Sequence, residues 1–284
     1  MSTGFSIPFV KASACGNDFL VIDGEHAKAH PAELTRKLCD RHQGIGADGV
    51  EWLYPDAIAA TYARLFNADG SEAEISGNGT RCVAAYLFSE ATRLSEPSDP
   101  SESNVSASTA REISIRTGAG VKTCVLKANS GMQYEFETDM GTPRVSGEVA
   151  LRVASRDVRA ISSSMGNPHL SVFVDEFCED WQGEAAEIAR CANMSSGVNV
   201  EIVKLIDINN IEVRFFERGV GETQSSGTGS CAAAVASIFT KRAVSPVRVL
   251  AQGGTQTVRW DGNVFLSGPA QIVAQGEFFL PESL

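Results

Sequence analysis

The sequence predicts an α/β protein of two pseudosymmetric halves that arose by internal duplication. Three observations carry that expectation. First, 284 residues, 43% of them hydrophobic and 21% charged, describe a folded chain too long for one small core and comfortable as two domains. Second, short motifs recur at a constant offset of 150 residues: Gly16-Asn17 returns as Gly166-Asn167, Leu20 as Leu170, Glu72 as Glu222, and Ser76-Gly77-x-Gly79 as Ser226-Gly227-x-Gly229. One such match is a coincidence; several in one register mark related halves. Third, each Ser-Gly-x-Gly turn runs into an apolar, Ala-rich stretch without Gly or Pro, at 80–91 and 230–242, long enough for a buried helix.

The other elements follow in chain order. Residues 19–23, 61–66 and 112–116 read as short strands, and 121–127 with 133–138 as a hairpin. Leu34 and Leu38 have helical spacing within 31–42, where His42 would close the helix before Gly44, and the counterpart helix falls at 184–192. The second half continues with strands at 169–174, 200–206, 211–216, 247–251, 256–260 and 264–267. Segment 95–109 is rich in Ser, Pro and Glu and nearly free of large apolar side chains, which predicts a mobile surface insertion. The expected organisation is an N-terminal half at 1–140, a C-terminal half at 141–270, and a terminal segment, 271–284, returning to the first half.

Composition excludes several classes of function. With 35 acidic against 24 basic residues, the net charge of −11 repels phosphate backbones and anionic lipids, so neither a nucleic-acid nor a membrane partner is expected. No apolar run reaches the ~18–20 residues of a membrane span, and residues 1–10 lack a secretory pattern; a cytoplasmic protein is expected. The seven cysteines include no Cys-x-x-Cys pair and read as reduced thiols. His26, His30, His42 and His169 make no zinc-protease spacing, and no Walker loop or full dinucleotide fingerprint occurs, so no metal and no cofactor is expected.

A helix entered through Gly-x-Gly presents unpaired backbone N–H groups and the positive end of its dipole, which together hold a carboxylate or phosphate. Two such ends, Gly77-Asn78-Gly79 and Gly227-Thr228-Gly229, could grip one carboxylate in a cleft between the halves and stabilise the enediolate left when its α-proton departs. Ser76 and Ser226 would then flank the α-carbon from opposite faces, the arrangement that inversion requires. Equally, both serines could be plain helix caps. A serine hydroxyl is a poor proton carrier, whereas a cysteine thiol near pKa ~8.5 can be lowered further at a helix N-terminus. The geometry favours an epimerase; the residue type at these two positions opposes it. Cys15, beside Gly16-Asn17, is a possible replacement base but reads better as a structural thiol.

The ordered motifs extend over nearly the whole chain. They are Gly16-Asn17-Asp18-Phe19, Arg41-His42-Gln43-Gly44-Ile45-Gly46-Ala47-Asp48-Gly49, Phe66-Asn67-Ala68-Asp69-Gly70-Ser71-Glu72 and Gly77-Asn78-Gly79-Thr80-Arg81-Cys82. The second half adds Met165-Gly166-Asn167-Pro168-His169, Asn199-Val200, Glu217-Arg218-Gly219-Val220-Gly221-Glu222 and Gly227-Thr228-Gly229-Ser230-Cys231. In these the sequence resembles the diaminopimelate epimerase family. The resemblance implies a cofactor-independent isomerase of two pseudosymmetric α/β domains that converts L,L-diaminopimelate to the meso form in lysine and peptidoglycan biosynthesis, as a homodimer. It also implies two catalytic cysteines where this chain has Ser76 and Ser226, so the chain reads as a Cys→Ser impaired form, the replacement that would trap substrate without turnover. By the same resemblance Asn17, Asn67, Asn167, Asn199, Glu217 and Arg218 contact substrate, with Arg218 on the distal carboxylate and Glu217 on the distal ammonium. The amides of Gly77, Asn78, Gly227 and Thr228 hold the reacting carboxylate, and His169 and Glu217 orient the catalytic pair. Two alternatives stay open: a racemase of another amino acid such as histidine, and a non-catalytic amino-acid-binding homologue.

Overall fold

The computed structural model describes residues 6–27, 30–95, 111–154, 156–192, 194 and 197–280. The contacts within the chain divide it into two compact units, Met1–Glu137 with Pro269–Leu284, and Thr138–Gly268.

In the first unit the chain runs β1 (Ser6–Ala14), β2 (Asn17–Asp23), α1 (Pro31–Cys39), β3 (Gly49–Tyr54), β4 (Thr61–Asn67), β5 (Glu72–Ala73), α2 (Gly77–Ser95), β6 (Glu112–Thr117), β7 (Gly120–Ser130) and β8 (Gln133–Gly141). Strand β2 pairs parallel with β3, β3 antiparallel with β4, β4 antiparallel with β5 and parallel with β6, and β6 antiparallel with β7. In α2 the successive residues Cys82, Val83, Ala84 and Ala85 are all buried, packed with Phe19, Leu65 and Phe136. A helix that is apolar all round belongs inside a core, and the sheet supplies that surround. The other face of the sheet is covered by α1, whose Leu34 and Leu38 meet Leu20, Val50 and Trp52.

The second unit runs β9 (Arg144–Val153), β10 (Arg156–Ser164), β11 (Pro168–Val174), α3 (Trp181–Cys191), β12 (Asn199–Asp207), β13 (Asn210–Glu217), β14 (Gly221–Thr223), α4 (Gly227–Phe239), β15 (Val247–Ala251), β16 (Gly254–Asp261) and β17 (Asn263–Phe279). Its pairings follow the same order: β11 parallel with β12, β12 antiparallel with β13, β13 antiparallel with β14 and parallel with β15, and β15 antiparallel with β16. The registers also correspond. Phe19 faces Gly49 as His169 faces Asn199, and Val50 faces Phe66 as Val200 faces Phe216. Helix α4 is buried from Gly229 to Ser237 against Val213, Phe215 and Val258, while Trp181 and Ile188 of α3 pack on Leu170 and Val200. Beyond residue 268 strand β17 lies in the first unit, where it pairs antiparallel with β1 from Ser6↔Phe279 to Ser13↔Gln271.

Several element bounds differ from the sequence expectations, each for a local reason. Helix α1 stops at Cys39, short of His42, because Asp40 turns to ψ 124° and its carboxylate accepts from the N–H groups of His42 and Gln43. Helices α2 and α4 start at Gly77 and Gly227 rather than 80 and 230, capped by the serines before them. Helix α4 ends before 242, where Lys241 takes φ +60°. Helix α3 starts earlier than 184, where Asp180 caps it by accepting from Gly183 N. Apart from Ser95, at the end of α2, the expected 95–109 insertion lies outside the described residues. Among the described residues no helix is long and apolar enough to cross a membrane.

Candidate active site

In the first unit, Ser76 precedes α2 and its Oγ accepts from Gly79 N at 3.1 Å. The turn that follows is tied to β2: Asn78 Nδ2 donates to Asn17 Oδ1 at 2.7 Å, and Asn17 Nδ2 donates to Asp48 Oδ2 at 3.0 Å. Asp48 is gripped by Arg41, which also forks onto Asp18. On its other side Asn78 Oδ1 accepts from Arg81 Nη2. Asn78, with one amide end on Asn17 and the other on Arg81, is held in a single orientation and is 4% exposed. A Cβ at Gly79 would strike Glu51 Oε1, so the turn and the Glu51 carboxyl pack directly on one another. Asn67 stands apart from this chain of contacts, bonded to Ser71 Oγ at the exposed end of β4.

In the second unit Ser226 repeats the cap, its Oγ accepting from Gly229 N at 3.1 Å. Its hydroxyl is also hydrogen-bonded to the Glu217 carboxyl; burial raises the pKa of Glu217 from its ordinary value, and the Ser226 bond only partly offsets this. Asn167 Nδ2 reaches Thr228 Oγ1 at 3.4 Å, as Asn17 and Asn78 meet in the first unit. Behind Asn167 stands a fully buried pair: His169 Nε2 lies 2.9 Å from Asn167 Oδ1, and His169 Nδ1 lies 2.6 Å from Glu201 Oε1. Asn199 sits beside His169 in the β11–β12 ladder, donates to Pro168 O at 3.2 Å and accepts from Arg218 N at 2.9 Å. The Arg218 side chain lies over Gly197, whose φ of +71° and missing Cβ make room for it.

The structure thus assembles two clusters from residues that the sequence singled out. Ser76, Gly77, Asn78 and Asn17 form one; Ser226, Gly227, Thr228, Asn167, His169, Glu217, Asn199 and Arg218 form the other. Sequence reasoning missed Glu51, Glu201 and Arg81. The first two were within reach, since Val50-Glu51 and Val200-Glu201 also recur at the 150-residue offset. Both glutamates are buried on the second strand of a parallel pair, but Phe19 occupies the position that corresponds to His169. Without an imidazole beside it, and with burial as the cause, the Glu51 carboxyl is pushed up to about 8. Among the described residues no group of His, Cys, Asp and Glu is arranged to hold a metal ion.

Solved structures of the same fold include a hydroxyproline epimerase from Agrobacterium vitis with bound trans-4-hydroxy-L-proline, at TM-score 0.67 and 15% identity over 96% of this chain and 91% of that one. A probable proline racemase from Agrobacterium radiobacter K84 matches at TM-score 0.69 and 14% identity over 98% and 94%. The fold is therefore the mixed, sheet-rich α/β architecture found in these epimerase and racemase structures. The diaminopimelate epimerase family profile matches residues 9–146 and 161–273, and the chain belongs to that family. Among its relatives, the diaminopimelate epimerase of Pelotomaculum thermopropionicum is 35% identical, covering 95% of this chain and 98% of that protein. That of Methanococcus maripaludis is 32% identical with the same coverage.

Proposed function

We propose that this chain takes L,L-diaminopimelate and is organised for its cofactor-independent epimerisation to the meso form by a two-base mechanism. The two halves are read as products of one duplication, supported by the shared pairing order and the ladder registers offset by 150 residues. In this reading the Gly77-Asn78 and Gly227-Thr228 turns hold one carboxylate, with Ser76 and Ser226 serving opposite faces of its α-carbon. One position removes the α-proton, the carboxylate becomes an enediolate stabilised by the helix-end N–H groups, and the other position returns a proton from the far side. Asn17 and Asn167 brace the two turns, His169 holds Asn167, and Glu217 orients the group at 226. Asn67, Asn199 and Arg218 take the distal end, where a guanidinium fork suits a carboxylate.

The observation that carries the reading is the pair of matched serine-capped turns, each braced by an asparagine two residues before the first pair of its parallel ladder, in a chain of this family. Serine oxygen keeps the shape of the cap but has little acidity, so the chain as it stands binds substrate and turns it over very slowly. The test is α-proton exchange in deuterated water with L,L-diaminopimelate, followed by mass spectrometry. Exchange with inversion is expected in the Ser76→Cys/Ser226→Cys form and near absence in the unmodified chain. A silent double variant that still binds would replace this reading with a non-catalytic amino-acid-binding protein.

A further inference from the structure

Arg81 is a fully buried guanidinium, 1% exposed, yet its hydrogen bonds go to neutral groups. Nη2 donates to Asn78 Oδ1 and to Cys15 Sγ at 3.6 Å, and Nε donates to Pro269 O at 3.2 Å. Among the described residues no carboxylate stands in ion-pair contact with it. An unpaired buried charge is unfavourable unless something compensates it when the protein works. The carboxyl beneath the same turn, that of Glu51 against Gly79, does not compensate it: burial pushes that group up to about 8, so it is predominantly protonated at neutral pH. Among the described residues the second unit has no buried cation at the corresponding place. The residue corresponding to Arg81 is Cys231, and a glutamate–histidine pair lies behind its turn. The two turns therefore match in shape and differ in charge.

We propose that Arg81 is a positioning residue that makes the Gly77-Asn78 turn the anion-holding half of the site: fixed to Asn78, it supplies the buried positive charge that draws the substrate's reacting carboxylate to that turn. The inference rests on the proposed function and adds to it a division of labour between two similar turns. The fixed Asn78 amide keeps the turn rigid, and the charge acts through the low-dielectric interior without touching the ligand. At ~7–10 Å and an effective dielectric of ~20, one such charge is worth roughly 10- to 50-fold in affinity for a carboxylate.

Calorimetric titration of the full chain with L,L-diaminopimelate and with its monocarboxamide, in the unmodified protein and in Arg81→Gln and Arg81→Lys, tests this. Arg81→Gln is expected to weaken the diacid by roughly 10- to 50-fold and the monocarboxamide by markedly less, since the amide can place a neutral group at the first turn. Arg81→Lys, which keeps the charge, is expected to retain most of the preference for the diacid. Equal loss for both ligands would reduce Arg81 to a packing residue and overturn the proposal, as would a Lys variant no better than Gln. If Arg81→Gln does not fold, Arg81→Met removes the charge with a side chain of similar length and must show the same inequality. Absence of binding to the unmodified chain would overturn the proposed function itself, and this inference with it.

Discussion

Glu51→Gln tests whether a carboxyl in the middle of β3 stays protonated in the folded protein. Glu51 sits between Val21 of β2 and Leu65 of β4, 3% exposed, and burial pushes its pKa from the ordinary 4.5 to about 8. Below pH ~4.5 the group is protonated in both folded and unfolded chains and has no effect on stability. Between there and pH ~8 the unfolded chain loses the proton while the folded chain keeps it, so the folded state binds more protons and stability falls as pH rises. Each unit of displacement is about 1.36 kcal/mol, so the full span costs roughly 4–5 kcal/mol by pH 9. Glutamine has the shape of the neutral acid and cannot ionise. The variant should therefore match the parent near pH 4 and exceed it by up to about 4 kcal/mol at pH 9. Urea unfolding at pH 4, 7 and 9 measures this. Asp18, Asp40 and Asp56 are held below the usual carboxylate range and contribute the opposite slope, but equally in both proteins, so the difference isolates Glu51. Parallel pH curves for the two proteins would refute the reasoning and place an ionised glutamate in the core.

Two further substitutions probe the second cluster. His169→Phe recreates the pairing found at Phe19 and leaves Glu201 buried without its imidazole. It should destabilise the protein by about 3–5 kcal/mol, as chemical denaturation would show. Arg218→Ala should weaken L,L-diaminopimelate binding by roughly 30-fold or more, read by calorimetry, while leaving the unfolding midpoint nearly unchanged.

Much of the fold was legible because apolar periodicity and the two glycine turns are local signals. Both buried helices and the strands β2, β4, β6, β11 to β13, β15 and β16 stand close to where the sequence put them. The misses have physical causes. Strand β3 was hidden because Glu51 interrupts its apolar run, a charge in sequence but a neutral acid in the core. The end of β10, Ser162-Ser163-Ser164, looks like a turn, although Ser162 and Ser163 are buried. Strand β17 continues to Phe279 through Gly268-Pro269, a pair that ordinarily punctuates structure. Among the candidate site residues, the asparagine braces and the serine caps fell within named motifs. Arg81 also lay within a named motif but was given no role, because its burial depends on contacts with Cys15 and Pro269 at distant points in the chain.

The return of β17 to β1 sets an order of assembly. The second unit, Thr138–Gly268, is one uninterrupted stretch and has all its strands as soon as it leaves the ribosome. The first unit, although synthesised earlier, cannot seal the outer edge of β1 until Gln271–Phe279 has emerged. Throughout that interval β1 presents an open row of N–H and C=O groups, the kind of edge that recruits foreign strands. The half made first is the half completed last, and truncation before Gln271 would injure the N-terminal unit while sparing the one beside it in sequence.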